Sequence, residues 1–378
     1  MRGSSALRRL AVAALMGWAT GAGVAQTFEF DTPSDDRWQY PFNFFPGTRP
    51  TISTFSSLGT GVPSFSNFND RDGIALIAWD TSGSIPVGQG AYAIDSVTVI
   101  VRNEPNATWP IDLTVDEWFT TDVNNDALIN VDGIPRGFPG DSDGESDDAD
   151  AGRPVELFGM GFGPVYTTAT WTQGSAFVGG TDQANNPRDP FPLVFQDGTG
   201  ADVHVEDHVK GLHNGGLTPP IGAFTPTPWA IGAPVAYTPG SQTVPFEVAF
   251  AVDLELSGGA VRAYFEEQLD AGKVFVSLAS LTDTVLGGTV GGVPSFYAKE
   301  GIGLHPDARA PKLVIVLSEA IDGDVNGDGC VDLSDLGTLL SNFGLSGGLE
   351  FEDGDLNGDD KVDLSDLGIV LANYLSGC

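Results

Sequence analysis

The chain has 378 residues, 41% of them apolar, which allows two or three domains and excludes disorder throughout. Its 50 glycines and 25 prolines exclude a mostly helical bundle, because helix interiors tolerate neither residue well. Its net charge of −34 would repel the phosphate backbone of a nucleic acid, so we expect no nucleic-acid partner.

Residues 1–25 have the pattern of a signal peptide. Three arginines among the first nine residues precede an apolar run at 10–15, and small residues lead up to Ala25. The apolar run is too short to span a bilayer, and no later apolar run reaches that length. We therefore expect cleavage after Ala25 and a secreted or cell-surface-associated protein without a membrane span.

Short apolar segments separated by Gly, Pro and Asn predict a mainly β fold, a jelly-roll-like β-sandwich, for residues 26–318. The segment 246–256 alternates apolar and polar residues, which is typical of a long strand with one buried and one wet face. Two short helices are expected at 205–212 and 261–271. The other predicted strands are 74–79, 97–102, 274–278 and 313–316.

The order of several pieces resembles the β-sandwich modules known as DNRLRE or disaggregatase-related domains. The segments that carry the resemblance are 72–80, 94–99, 202–205, 209–212, 296–300 and 311–313. The resemblance implies a jelly-roll carbohydrate-binding or cell-surface module, usually without catalysis. Residues 120–190 fit this pattern poorly and are predicted to be an insertion.

Aromatic residues crowd the stretch that begins with Trp38 and Tyr40. Aromatic rings offer large, rigid faces on which sugar rings can stack, so these two residues are candidates for glycan binding. Pro41 and Pro46 predict a loop rather than a strand here. A core role stays open as the alternative, because most aromatic side chains of a β-sandwich are buried.

His204, His208 and His213 have a spacing close to that of a zinc-protease motif, but Val205 stands where that motif needs its catalytic glutamate. We therefore expect surface histidines. Carboxylates are so frequent that no pair stands out for glycoside hydrolysis, which depends on the geometry of two such groups. The sequence assigns no catalytic residue, and a glycoside hydrolase or polysaccharide lyase stays an open alternative.

The last sixty residues contain a duplicated loop pattern with an offset of 31 residues. Oxygen-bearing side chains recur at loop positions 1, 3, 5, 9 and 12, with a backbone carbonyl at position 7, as in an EF-hand loop that binds Ca²⁺. The predicted ligands in the first loop are Asp324, Asn326, Asp328, the Cys330 carbonyl, Asp332 and Asp335. In the second loop they are Asp355, Asn357, Asp359, the Lys361 carbonyl, Asp363 and Asp366.

Each loop leads into one short helix with an apolar stripe, and the two stripes are predicted to pack on each other. No helix precedes the first loop. Residues 319–378 therefore resemble a type I dockerin, the small all-α, duplicated loop-helix module that binds cohesin domains. The resemblance implies two calcium ions and a cohesin-like partner. It assigns partner contacts to loop positions 10 and 11, which are Leu333, Ser334, Leu364 and Ser365. A serine near a helix start is alternatively only a cap.

Two further residues bear on these loops. Cys330 and Cys378 are the two cysteines of the chain, and an even pair in an exported protein favours a disulfide over free thiols or an intermolecular bridge. Asp360 occupies position 6 of the second loop, where a left-handed glycine is usual. We therefore expect the second calcium site to be the weaker one.

These features together predict a secreted, calcium-binding dockerin protein. Its β-sandwich would bind carbohydrate or a surface partner, and its dockerin would dock onto a cohesin during extracellular polysaccharide degradation or assembly. An enzyme that carries a dockerin and a purely structural cell-surface protein are the two alternatives.

Overall fold

The computed structural model describes part of the chain, and all structural statements concern that part. The described residues are 25–40, 43, 45, 47–55, 73–88, 92–105, 109, 111–115, 154–178, 188–196, 201–204, 227–235, 245–280, 282, 292–318, 321–326, 329–349 and 351–378. Outside these ranges lie the predicted signal peptide up to residue 24, the predicted helix 205–212, two of the three histidines and Asp328.

The described part is mainly β, as predicted, with antiparallel sheets and three α-helices. In chain order the strands are β1 (Gln26–Phe30), β2 (Asp35–Gln39), β3 (Thr51–Ser53), β4 (Ile74–Asp80), β5 (Ala93–Arg102), β6 (Val155–Gly161), β7 (Phe191–Gln196), β8 (Ala201–His204), β9 (Ala230–Ile231), β10 (Ala233–Pro234), β11 (Glu247–Ala251), β12 (Lys273–Ser280), β13 (Ser295–Tyr297) and β14 (Lys312–Ser318). The helices are α1 (Ala260–Ala271), α2 (Leu333–Ser341) and α3 (Leu364–Ala372).

One sheet has five strands in the order β1-β14-β5-β11-β10. Val99 of β5 lies opposite Phe250 of β11 and Leu313 of β14, and all three side chains are buried. Alternate residues of these strands are buried and partly exposed, because one face of the sheet packs on the core and the other faces solvent.

The second sheet has seven strands, with β2-β4-β12-β6-β7-β8 in order and β9 paired with β6. Strand β4 is buried along almost its whole length, since it lies between β2 and β12 and both faces of the sheet are covered. On the face away from the shared core, Phe275 of β12 contacts the rings of Phe162 and Trp171. The predicted buried run at 74–79 is confirmed.

The two sheets share one hydrophobic core, to which both contribute side chains. Helix α1 adds Val261, Phe265 and Leu269 to this core. The helix ends where Gly272 adopts a left-handed φ of +81° and donates its N–H to the carbonyl of Leu269. The predicted helix at 261–271 and its glycine stop are confirmed.

Three sequence predictions for this part of the chain are wrong in part. Residues 155–161 form β6, which pairs with β12 and is buried throughout, so this piece of the predicted insertion 120–190 belongs to the sheet. Trp38 lies in strand β2, which pairs with β4, and not in a loop. The long strand predicted at 246–256 ends at Ala251, because the Asp253 side chain accepts the N–H of Glu255 and turns the chain toward α1.

Residues 321–378, hereafter the C-terminal segment, have a small hydrophobic cluster of their own. Leu339 of α2 and Val370 of α3 are buried in it, together with Val331 and Val362 of the preceding loops. The predicted packing of the two apolar stripes is only half correct. The inner residues pack as expected, but the outer residues Leu340, Phe343, Leu371 and Tyr374 are exposed. None of the helices in the described ranges is long and apolar enough to cross a membrane.

Candidate metal centre

The candidate site consists of two equivalent loops, loop one (324–335) and loop two (355–366), each of which ends inside a helix. In α2, Asp332 is the N-cap: its side chain accepts the backbone N–H of Ser334 (2.7 Å), and its own N–H donates to Asp335 at position N3 (2.8 Å). Asp363 and Asp366 make the same capping box in α3, with the same distances. Loop positions 9 and 12 therefore start each helix as well as belonging to the ligand pattern.

The carboxylates at position 12 are fully buried and fold each loop back onto its helix start. Asp335 Oδ1 accepts the N–H groups of Val325 (2.7 Å) and Asn326 (3.1 Å). Asp366 Oδ1 accepts the two N–H groups of 356–357 at 2.9 and 3.1 Å. The two loops thus repeat the same hydrogen bonds at the 31-residue offset.

The carboxylates at position 1 are buried as well. Asp355 accepts three backbone N–H groups from residues 358–360, at 2.7 to 3.1 Å. Burial raises the pKa of Asp355, and the negative charge of Asp366 acts in the same direction. In loop one, Asp324 Oδ2 accepts the N–H of Gly329 at 2.9 Å.

This donor set fits a hard cation such as Ca²⁺. A carboxylate offers about four lone-pair sites. Because Asp355 accepts three amide hydrogen bonds, one of its sites stays available for a cation. The amides do not neutralise the charge, and the C-terminal segment has 13 acidic residues and the single cation Lys361. Ca²⁺ takes six to eight oxygens, which each loop could supply from its side chains, its position-7 carbonyl and water.

Across the described ranges, no three Asp, Glu, His or Cys side chains converge into a metal-binding group. In loop one, Asp328 lies outside those ranges, so the predicted ligand set is only partly described. In loop two the carboxylates of Asp355 and Asp366 are turned toward backbone amides. The calcium sites therefore stay a prediction from the donor set.

Position 6 of both loops is left-handed, as the sequence predicts. Gly329 has φ +88° and Asp360 has φ +68°. Glycine adopts this conformation freely, whereas aspartate does so at a cost. The carboxylate of Asp360 is hydrogen-bonded: its Oδ1 accepts the N–H groups of Gly348 (2.7 Å) and Leu349 (3.2 Å).

The predicted partner contacts at positions 10 and 11 have two different surroundings. Leu333 and Leu364 are 71% and 74% exposed, which leaves their side chains free for a partner. Ser334 donates its hydroxyl to Asp332 (2.6 Å), and this bond helps to hold the pKa of Asp332 below its usual value. The backbone N–H of Ser365 lowers the pKa of Asp363, and the Ser365 side chain adds to this effect. The serines therefore serve as part of the helix caps.

Cys330 and Cys378 form a disulfide, with 4.8 Å between their Cα atoms. The predicted pairing is confirmed, and the bond joins position 7 of loop one to the segment that follows α3.

The two candidate glycan-binding residues pack on other side chains. The rings of Trp38 and Tyr40 stack on each other with 4.7 Å between their centroids, and Phe55 meets both rings edge-on. The guanidinium of Arg49 also lies over the Trp38 ring at 5.8 Å. Both rings are half-buried, so the aromatic stretch belongs in part to the core. His204 ends β8, and His208 and His213 lie outside the described residues.

Sequence reasoning missed a pair of carboxyl groups, Asp36 and Glu300, which interact electrostatically. Asp36 is 1% exposed, and its Oδ2 accepts the N–H of Lys299 at 2.6 Å. Gln173 donates its side-chain amide to Glu300 Oε1 at 3.0 Å. Asp36 and Glu300 are 264 positions apart, and no local pattern could have joined them.

No protein-family model and no curated protein matches the chain.

Proposed function

We propose that residues 319–378 form a type I dockerin, which binds two calcium ions and docks onto a cohesin-like partner outside the cell. The observation that carries this proposal is the repetition of the position-12 contacts, in which Asp335 and Asp366 each accept three equivalent backbone N–H groups. Such repetition is expected of a duplicated cation loop and has no simple explanation in a solvated acidic turn.

The placement of the helices also favours a dockerin over a full EF-hand. An EF-hand has a helix on both sides of its loop. Here strand β14 ends at Ser318, and Asp324 opens loop one only a few residues later. The described residues between them, from 321, contain a turn and no helix.

The exposed apolar residues of the C-terminal segment support a docking role. They form two equivalent sets, each with a residue at position 10, a residue at the second helical turn and an aromatic residue near the helix end. The sets are Leu333, Leu340 and Phe343, and Leu364, Leu371 and Tyr374. A small segment with this much exposed apolar surface favours a protein partner.

We further propose that the rest of the chain is a jelly-roll module that binds carbohydrate. The strand orders β1-β14-β5-β11 and β4-β12-β6-β7 support the jelly roll, because the chain crosses repeatedly between two four-stranded sets in the order that two Greek keys require. The half-buried Tyr40 and the 66%-exposed Phe45 are the aromatic residues best placed to meet a sugar, since the Trp38 ring is contacted on several sides. Polysaccharide hydrolysis or lysis is the alternative for this module.

The proposal is tested by measuring binding of the full chain to a panel of immobilised cohesin modules, with calcium and with excess chelator. We expect at least one cohesin to bind in calcium only. Replacing Leu333 or Leu364 alone should weaken binding little, because the other copy can dock, whereas the double change to Ala should reduce it at least tenfold. A glycan array and a polysaccharide hydrolysis panel on the same preparation separate binding from catalysis. Binding that is equal in chelator would contradict the calcium-dependent dockerin.

A further inference from the structure

We propose that Asp360 is a positioning residue that fastens loop two to the turn at 347–349, as the Cys330–Cys378 disulfide fastens loop one to the residues after α3. This inference rests on the proposed calcium function of the loops. It predicts that a covalent bond holds loop one in its calcium-binding conformation, whereas a carboxylate holds loop two.

Both loops are covered by the chain that returns from a helix. Val331, at position 8 of loop one, donates to the carbonyl of Ser376 (3.0 Å) and accepts the N–H of Leu375 (2.7 Å). Val362, at position 8 of loop two, makes the same two bonds with residues 344–345, at 3.2 and 2.8 Å. Each loop is therefore held by the chain that follows the helix of the other repeat.

Loop one is locked to its return segment by the disulfide. Cys330 at position 7 bonds to Cys378, and the neighbouring Gly377 packs directly on the carbonyl of Gly329. A side chain at Gly377 would collide with the carbonyl oxygen of Gly329. Position 6 of loop one needs no anchoring side chain, and it is glycine.

Loop two has Lys361 at the equivalent of Cys330 and therefore cannot form the covalent lock. Asp360 takes over this role with three hydrogen bonds. Its carbonyl accepts the N–H of Gly347 (2.9 Å), and its Oδ1 accepts the N–H groups of Gly348 (2.7 Å) and Leu349 (3.2 Å). The backbone N–H of Asp360 also donates to Asp355 Oδ2 at 2.7 Å, which links the fastened turn to position 1 of the loop.

Asp360→Gly has two effects on calcium affinity at loop two, and they act in opposite directions. If only the left-handed conformation mattered, Asp360→Gly would relieve strain and tighten calcium binding at loop two. If the carboxylate fastens the loop, the same change removes two hydrogen bonds and loosens position 1. We expect the loss of the two hydrogen bonds to outweigh the relieved strain, and calcium affinity at loop two to fall about tenfold.

Calcium affinities are measured by chelator competition on the full chain. Asp335→Ala isolates loop two and Asp366→Ala isolates loop one. In the Asp335→Ala variant, Asp360→Gly should weaken calcium affinity about tenfold. Asp360→Asn, whose Oδ1 can still accept hydrogen bonds, should change the affinity by less than about threefold. Dithiothreitol breaks the single disulfide of the chain. It should weaken calcium affinity only in the Asp366→Ala variant, in which loop one is the remaining site. Tighter or unchanged binding in Asp360→Gly, or equal losses at both loops on reduction, would overturn the inference.

Amide hydrogen exchange gives a readout that does not depend on calcium. In chelator, the N–H groups of Gly348 and Leu349 should exchange faster in Asp360→Gly than in the unaltered chain, while those of Leu375 and Ser376 should be unchanged. Equal exchange at 348–349 would overturn the fastening role. If the unaltered chain binds no calcium, the proposed dockerin function fails, and the exchange comparison still decides the role of Asp360.

Discussion

At the scale of single residues, Asp36 occupies a core-facing position, where an apolar side chain is usual. It faces the shared core in register with Ile77 of β4, which lies opposite Val276 of β12. Asp36 Oδ1 and Glu300 Oε2 are buried and accept no hydrogen bond from any described residue. A single proton shared between the two carboxyl groups would satisfy both oxygens.

This pair predicts a pH dependence of stability. Burial raises the pKa of Asp36 from 3.8 to about 7, and the charge of Glu300 adds to this effect, while the N–H and charge of Lys299 oppose it. The other charges nearby, Asp35 and Lys273, are paired with each other at 2.6 Å. Between pH 3.8 and about 7 the folded chain keeps a proton that the unfolded chain releases, so this stabilising contribution is lost as the pH rises through that window.

Asp36→Asn should remove this dependence, because its amide can donate to Glu300 at every pH. At pH 8 we expect the variant to be more stable by about 1 kcal/mol or more, and at pH 5 the difference should shrink or reverse. Urea unfolding at the two pH values measures this, and the difference between variant and unaltered chain cancels the titration of the loop carboxylates. Parallel stability profiles for the two proteins would show that the pair does not share a proton.

At the scale of elements, the C-terminal segment depends on two close backbone approaches. Gly323 precedes loop one and lies against Val370 of α3, while Gly354 precedes loop two and lies against Leu339 of α2. Both glycines have φ near +100°, and a Cβ on them would be 3.0 to 3.1 Å from a helix Cα atom. Each loop thus packs on the helix of the other repeat, and neither repeat can form this core alone.

Gly354→Ala should therefore destabilise the pair of helices by about 1–3 kcal/mol, through the left-handed φ and the contact with Leu339. Gly337, inside α2 with no atom near its missing side chain, is the matched control. Its change to Ala should stabilise α2 by up to about 1 kcal/mol. Hydrogen exchange in the peptides of α2 and α3 measures both. Equal hydrogen-exchange protection in Gly354→Ala and Gly337→Ala would mean that the close approach of Gly354 to Leu339 does not contribute to stability.

The elements also indicate how far the sequence alone could reach. The duplicated loops and the helices that follow them were predictable, because their residue pattern is local and is present twice. Strands with one wet face, such as β5 and β14, could be found from their alternation. Strand β6 could not, since it is buried on both faces and its glycine Gly159 is covered by the Trp229 ring. The role of Asp360 depends on a turn eleven to thirteen residues earlier, which spacing does not reveal.

At the scale of the whole molecule, the large β core and the C-terminal segment have separate hydrophobic clusters. Among the described residues, the core of the sheets contains none after Leu317, and the cluster of the C-terminal segment contains none before Ile321. Strand β14, which ends at Ser318, pairs with β1 and β5 and so closes the five-stranded sheet. The two parts should therefore fold independently.

A chain truncated after Ala320 should keep its β circular dichroism signal and melt cooperatively within a few degrees of the corresponding transition of the full chain. The physical reason is that none of the described residues that truncation removes belongs to the core of the sheets. Loss of the β signal, or a transition lowered by more than about ten degrees, would mean that the two parts stabilise each other.

The central claim is that the C-terminal segment contains two calcium sites, one in each loop. The most direct test is the number of calcium ions bound per chain, measured by native mass spectrometry on the full chain and on three variants. We predict two ions for the unaltered chain, one each for Asp335→Ala and Asp366→Ala, and none for the double variant. An unaltered chain that binds no calcium, or variants that bind as many ions as the unaltered chain, would contradict the account.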